Sequence, residues 1–258
     1  MFSEATRHSL KRVLTGGAAS VAVFATALAL APPALAEPAT AEDEYPVVDE
    51  VTPAAYAEHL EGSPEPGAEE TLASFQELSD EDQEQFLEYL QDPEALEALL
   101  DEAASTEGAV GTSQTQVNGD IDIEATTSVE DENGTSVDEV GAQNLAPGTY
   151  RTHYRVDQNV MGVTVTRLEL SLHYTTNGSS VTSTHGVDTA LRNFNFVVNV
   201  SSNSHNHYVS GNLGYGSAIW NGRIGGTIGG VNFGIDLDKR HEVTVSAAGF
   251  HSGSLQNI

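Results

Sequence analysis

Apolar residues recur at two different spacings along the chain, and the change between them divides the sequence into two parts. Between Glu69 and Ala104 they fall three and four residues apart, which is typical of amphipathic helices. From about Val117 onward they alternate with polar residues, which is typical of strands with one buried face. We therefore expect an α+β protein in which a short acidic helical segment precedes an antiparallel β domain over residues 117–258.

Local signals predict where the helices begin. Thr52 followed by Pro53 combines an N-cap residue with proline at the first helical position. Ser79, with Asp82 three residues later, resembles a capping box and predicts a helix start near Asp80. Asp92-Pro93 predicts the next start. The predicted helices lie near residues 53–60, 69–90 and 93–104, with a disordered linker around the first and a small-residue linker at 105–116.

Alternation along residues 150–157 and 168–174 predicts a hairpin. Matching the apolar faces of the two strands places Tyr154 opposite Leu168. The numbers of paired residues then sum to an even value, which requires a turn with an odd number of residues. Val160-Met161-Gly162 supplies a three-residue turn with glycine at the position that favours positive φ.

The same reasoning near the end of the sequence pairs residues 231–235 with residues 243–247 around a turn at Asp238-Lys239-Arg240. Residues 194–200 alternate and predict another strand, whereas residues 201–206 are polar and predict a loop.

About six to nine such strands, joined by short turns such as Asn133-Gly134 and Asn177-Gly178, make up the predicted β domain. A single sheet of this size would leave its apolar face in contact with water. We therefore expect the strands to form an antiparallel β-sandwich or a closed barrel.

The first 36 residues have the pattern of a secretory signal peptide. A positive head, an apolar stretch and a small-x-small cleavage site follow one another at residues 7–12, residues 16–30 and Ala34-Leu35-Ala36. The alternative, an N-terminal membrane anchor, is disfavoured because the apolar run is shorter than the roughly 20 residues that a membrane helix needs. We expect a secreted, extracellular protein whose mature chain begins at Glu37.

Charge is distributed unevenly along the 258 residues, which carry a net charge of −28. Residues 37–150 hold 31 of the 38 acidic residues and no Lys or Arg, whereas residues 151–258 hold 7 cations and 6 acids. An acidic arm (residues 37–116) of this sign repels nucleic acid and anionic membranes, so we expect neither as a partner. The alternative interpretation is that the charge serves only to keep a secreted protein soluble and hydrated.

Sequence motifs offer little catalytic chemistry. The chain contains no cysteine, which excludes thiol catalysis and cysteine-based metal sites. Gly214-Tyr215-Gly216-Ser217 does not form a Gly-x-Ser-x-Gly nucleophile elbow. The glycine run at residues 221–230 lacks phosphate-binding motifs and predicts a bulge or a loop at a sheet corner. We expect no cofactor.

Two sets of residues are candidates for a binding site. His205 and His207 lie two residues apart and would share one face of a strand, which makes them weak candidates for metal ligands; solvated loop histidines are the alternative. Trp220 is the single tryptophan and lies near a glycine-rich stretch. It either fills the core or, with Tyr208 and Tyr215, forms an aromatic platform for a sugar or a peptide.

These observations predict a secreted, noncatalytic β-domain protein that binds another macromolecule or surface, with a protein or a glycan as the partner. The acidic helices would form a second interaction surface or an intramolecular cover. Two alternatives stay open: an extracellular hydrolase whose acidic segment is a removable pro-region, and a structural or halotolerant envelope protein. A mature chain that begins near Ala109 rather than at Glu37 would favour the hydrolase.

Overall fold

The computed structural model describes residues 51–91, 106–107, 111–116, 119–137, 144–228 and 231–258. In this part of the chain three helices precede ten strands: α1 (Pro53–Gly62), α2 (Ala68–Gln76), α3 (Asp80–Gln91), β1 (Thr106–Glu107), β2 (Gly111–Gln116), β3 (Ile121–Asp131), β4 (Gly148–Val160), β5 (Val163–Thr176), β6 (Val181–Asn193), β7 (Val198–Ser210), β8 (Leu213–Ile228), β9 (Val231–Ser246) and β10 (Gly249–Asn257). The predicted signal peptide and the predicted helix at 93–104 lie outside the described residues.

The predicted helix starts at Pro53 and Asp80 are confirmed. The Thr52 hydroxyl accepts a hydrogen bond from the backbone N–H of Ala55 at 3.3 Å, and Pro53 is the first helical residue. The Ser79 hydroxyl accepts one from the backbone N–H of Asp82 at 3.2 Å. The helical stretch expected near 69–90 is therefore two helices, α2 and α3, with Ser79 capping the second.

Aromatic side chains join the three helices to one another and to the β domain. The ring of Tyr56 lies 4.8 Å from that of Phe75 and 5.3 Å from that of Phe86. It also lies 5.5 Å from the ring of Phe196, in the connection between β6 and β7. All four residues are buried, so the apolar stripes of the helices are covered by each other and by the β domain.

The strands form two five-stranded antiparallel sheets, with strand orders β1-β10-β9-β8-β7 and β2-β3-β4-β5-β6. The mostly antiparallel β architecture that the sequence predicts is thus confirmed. The described strands do not close into a single barrel, and this alternative of the prediction is wrong. Two separate sheets that each bury one face favour the predicted sandwich.

Glycines mark where the two sheets face each other. A Cβ on Gly216 of β8 would lie 3.1 Å from Leu172 of β5. A Cβ on Gly253 of β10 would lie 2.7 Å from the ring of Tyr154 in β4. The main apolar core therefore lies between the sheets, and Gly253 leaves the space that the Tyr154 ring occupies.

The hairpin of β4 and β5 corrects the predicted turn. It contains two residues, Met161 and Gly162, with φ of 51° and 80°, as a type I′ turn requires. A bulge beside the turn adds one residue to β5, so that Tyr154 pairs with Leu170 rather than with Leu168. The prediction that the apolar faces of the two strands match is right, because the bulge supplies the extra residue that the two-residue turn lacks.

The second predicted hairpin is wrong. Residues 231–246 form one continuous strand, β9, and residues 231–235 pair with residues 224–228 of β8 rather than with 243–247. The predicted turn at Asp238-Lys239-Arg240 lies inside this strand. Lys239 points inward and is only 2% exposed, and a charged residue at a buried strand position breaks the alternation that the prediction used.

Three stretches predicted as linker or loop are strands. β2 occupies residues 111–116 of the predicted small-residue linker and pairs with β3. β7 continues through residues 201–206, and β8 continues through the glycine run as far as Ile228. The predicted boundary at residue 117 thus falls between two paired strands, so part of the acidic arm belongs to a sheet.

Candidate functional site

The outer face of β7, β8 and β9 carries two of the predicted site residues. Gly214 and Gly216 of β8 face the other sheet, so the odd-numbered residues of β8 point outward. Tyr215 therefore lies on the outer face, beside its cross-strand partner Tyr208 of β7. The two rings stack with their centroids 4.9 Å apart and their planes at 12°. Tyr208 is 51% exposed, so this tyrosine pair is accessible.

A bulge in β7 brings Tyr208 to this face. Asn203 pairs with Ile219 and Asn206 with Ser217, so β7 contains one more residue than β8 over this stretch. Ser204 adopts a φ of 51° within the bulge. Asn203 and Tyr208 are five residues apart and would point to opposite faces of a regular strand. The bulge therefore places the tyrosine pair on the same face as Asn203.

Polar side chains line a shallow groove on that face, which we call the amide groove. It encloses about 400 Å³ and is lined by Asn199, Ser201, Asn203, Asn221, Gly222, Arg223 and Asp238. Asn203 donates a hydrogen bond through Nδ2 to Oδ1 of Asn221. Asn221 in turn donates through Nδ2 to Oδ1 of Asp238 at 2.5 Å. These bonds cross three strands and orient the amides.

Trp220 does not contribute to this surface. It lies five residues after Tyr215 on β8, points inward and is 2% exposed. Its Nε1 donates a hydrogen bond to Nδ1 of His241 at 3.2 Å. His241 is fully buried, and burial lowers its pKa to about 3. The structure therefore brings Tyr208 and Tyr215 together and places Trp220 in the core, the other alternative for this residue.

His205 and His207 both point toward β6. Nδ1 of His207 lies 2.9 Å from Oγ1 of Thr184, and Nε2 of His205 lies 3.4 Å from Oγ1 of Thr189. The two histidines thus make separate polar contacts with the edge of the other sheet. Among the described residues, no group of three or more His, Asp or Glu side chains is arranged to hold a metal ion.

Sequence reasoning missed a cluster on the outer face of β3, β4 and β5. Nδ1 of His153 lies 2.9 Å from Oε1 of Glu169 and 2.8 Å from Oγ of Ser171. Nε2 of His153 lies 3.4 Å from Oε2 of Glu130. The hydrogen bond to Glu169 raises the pKa of His153, and the same bond lowers the pKa of Glu169. One signal for this cluster was available in the sequence. Residues 153, 169 and 171 alternate with the apolar residues of their strands, so they were expected on the polar face.

This cluster lacks the features of a serine nucleophile. Ser171 is only 5% exposed, and His153 shares its Nδ1 with both Ser171 and Glu169. The backbone around Ser171 is paired on both sides, with β4 and with β6, so its N–H groups are not arranged as an oxyanion hole. The arrangement is that of a partly buried ion-pair cluster.

No protein family, curated protein sequence or solved structure was found to match the chain. Over the part of the chain that the structure describes, no helix has the length and apolar character needed to cross a membrane.

Proposed function

We propose that the chain is a secreted, noncatalytic β-sandwich protein that binds an extended macromolecule through the outer face of β7, β8 and β9. The observation that carries this proposal is the continuity of the tyrosine pair with the amide groove. Tyr215 and Arg223 are eight residues apart on β8, which corresponds to about 26 Å at roughly 3.3 Å per residue. A surface of this length suits several units of a polymer better than one small molecule.

The exposed aromatic residue supports a recognition role. Among the described large hydrophobic residues, those that are exposed are Tyr208, Val209 and Ile258. A tyrosine gives a large contact area on binding at a small cost in side-chain entropy. The hydrogen bonds among Asn203, Asn221 and Asp238 hold polar groups in place before a ligand arrives, which lowers the cost of binding.

The hydrolase alternative finds less support in the geometry. Ser171 is buried, and Glu130 and Glu169 both lie against His153 rather than facing an open cleft. A removable pro-region is also disfavoured. Cleavage near Ala109 would separate the three helices, of which α1 covers Phe196, from most of the β domain. We therefore assign the acidic helices the role of an intramolecular cover.

The binding proposal can be tested with the chain that begins at Glu37. Biolayer interferometry would compare neutral polysaccharides, acidic polysaccharides and unfolded polypeptides as immobilised polymers. We expect binding to at least one of them and about a tenfold loss of affinity for Tyr208→Ala. Val209→Ala is the matched control, since Val209 is the next residue and points to the opposite face of the strand.

The proposal fails if none of these polymers binds, or if Tyr208→Ala and Val209→Ala both bind like the unmodified chain. The secretion part is tested separately by mass spectrometry of the culture medium. A chain that begins at Glu37 is expected there, and retention of residues 1–36 would contradict cleavage of the predicted signal peptide.

A further inference from the structure

We infer that the ligand of this face is an uncharged carbohydrate chain that lies along β8, with one sugar ring on the tyrosine pair and further hydroxyl groups in the amide groove. This inference rests on the proposed function and adds the chemical class of the ligand to it.

The charges on the face favour a neutral ligand. Outward side chains that the structure describes on β8 and β9 include two cations, Arg223 and Arg240, and two anions, Asp238 and Glu242, whose charges sum to zero. The whole chain carries −28 and repels a polyanion at long range. A polycation would be attracted first to the acidic helices. A neutral chain is subject to neither effect.

The hydrogen-bonding groups of the groove match hydroxyl groups. An asparagine amide carries donors and an acceptor side by side, and a sugar hydroxyl is likewise both donor and acceptor. In the hydrogen bonds through Asn221, Asn203 donates with its Nδ2 and Asp238 accepts with its Oδ1. The side-chain oxygen Oδ1 of Asn203 and the second carboxylate oxygen Oδ2 of Asp238 have no hydrogen bond to another described side chain. These oxygens therefore act as acceptors for a ligand.

The tyrosine pair supplies the apolar part of the contact. One side of a sugar ring presents C–H groups, and such a surface packs against the face of an aromatic ring. Tyr215 supports Tyr208 from one side by parallel stacking. Because Tyr208 lies on the edge strand, its ring is accessible to a chain that continues along the groove.

An extended peptide fits this face less well. A peptide that adds to a sheet needs unpaired backbone groups at an edge, whereas the groove lies on a sheet face where β8 pairs with both β7 and β9. A peptide held by its side chains needs apolar pockets between polar contacts. The residues that line the groove are polar apart from Gly222.

Affinity electrophoresis and titration calorimetry with the chain from Glu37 would test the inference. The probes are neutral polymers (soluble starch, a β-1,3-glucan and a galactomannan) and acidic ones (alginate and hyaluronan). We expect a neutral polymer to bind with an affinity that changes less than about twofold between 50 mM and 1 M NaCl. Tyr208→Ala and Asn199→Ala should each weaken it, and Val209→Ala should not. Asn199 is exposed on the outer face, which makes its truncation a mild change for the fold.

The outcomes separate the two claims. Tyr208-dependent binding that is confined to an acidic polysaccharide, or to an unfolded polypeptide, would overturn the carbohydrate class proposed here and leave the binding function intact. Binding of a neutral polymer that Asn199→Ala leaves unchanged would overturn the role of the amide groove. Absence of any Tyr208-dependent binding would overturn both the inference and the function on which it rests.

Discussion

His241 links the stability of the core to pH. Its imidazole lies between Trp220, whose indole N–H it accepts, and the ring of Tyr154 at 4.9 Å. Since Nδ1 is the acceptor, the proton of the neutral ring is on Nε2, which has no hydrogen-bond partner among the residues that the structure describes. A second proton would create a charge inside the apolar core, and this is why burial lowers the pKa to about 3.

The lowered pKa of His241 predicts a loss of stability in acid. Below pH 6.5 the unfolded chain binds a proton at this residue and the folded chain does not. The contribution of His241 to the free energy of unfolding therefore falls by about 1.4 kcal/mol for each unit by which the pH decreases, down to the folded pKa near 3. Urea unfolding at pH 7.5, 6.0 and 5.0 would measure this slope. His241→Gln keeps an acceptor for Trp220 but does not titrate, so its free energy of unfolding should fall less steeply.

The comparison between the two chains removes the effects of other histidines. His153 has a raised pKa, so its effect on the free energy of unfolding has the opposite pH dependence. It stabilises the folded protein below pH 6.5, and this stabilisation is lost as the pH rises through the pKa of His153 in the folded protein. Both chains contain His153, and the difference in slope reports His241 alone. Parallel slopes would mean that His241 accepts a proton without cost in the folded protein.

The face of β8 to which a residue points follows from the spacing of residues along the strand, which can be read from the sequence. Tyr215 and Trp220 are an odd number of residues apart, so a regular strand must point them to opposite faces, and a platform of Tyr208, Tyr215 and Trp220 could have been excluded in advance. The pairing of Tyr208 with Tyr215 could not be predicted. It depends on the register of β7, and a bulge shifts that register.

At the scale of elements, the bulge of β7 is tested at Ser204. This residue has a φ of 51°, a region that glycine adopts freely and β-branched residues strongly disfavour. We expect Ser204→Val to lower the free energy of unfolding by about 1–3 kcal/mol and Ser204→Gly to leave it nearly unchanged. Ser201→Val is the control, because Val suits a regular strand position. Equal effects of the two valine substitutions would argue against the bulge.

The helices and the sheets are predicted to unfold together. Phe75 is buried against Tyr56 and Phe86, and Tyr56 contacts Phe196 of the β domain. Truncation of Phe75 to Ala leaves a cavity and should cost about 3–5 kcal/mol. In calorimetry we expect one transition that shifts to lower temperature for both Phe75→Ala and Phe196→Ala. Two separate transitions, with only the helical one moved by Phe75→Ala, would show that the helices fold independently.

Elements were predictable where the signal is local. The caps at Thr52 and Ser79 and the alternation along β4 and β5 depend on neighbouring residues, and each predicted its element. Longer-range features were not predictable. The register of β4 with β5 depends on a bulge, and β9 continues through Lys239 because sheet packing buries a residue that is typical of turns.

At the scale of the whole molecule, the dominant feature is a charge of −28, and nine of the 38 acidic residues lie on the three helices, which contain no Lys or Arg. On α3, Glu84 has Asp80 four residues before it and Glu88 four residues after it. Like charges at this spacing each oppose the helix by a few tenths of a kcal/mol, and salt screens them beyond about 8 Å at physiological strength. Because α3 packs through Phe86 against Tyr56, which in turn contacts Phe196, repulsion within α3 lowers the stability of the molecule as a whole.

We therefore expect the melting temperature of the chain from Glu37 to rise between 10 mM and 1 M NaCl, and Glu84→Lys to reduce that rise. The substitution turns the repulsive pairs with Asp80, Glu81 and Glu88 into attractive ones, so it should stabilise the protein by roughly 0.5–1 kcal/mol in 10 mM salt and by much less in 1 M salt. Glu84→Gln removes the repulsion without adding attraction and should fall between the two. Glu84 is exposed, so neither change disturbs packing. If Glu84→Lys stabilised the protein equally at both salt concentrations, helix propensity or packing would explain its effect, and charge repulsion on the helices would not limit the stability of this molecule.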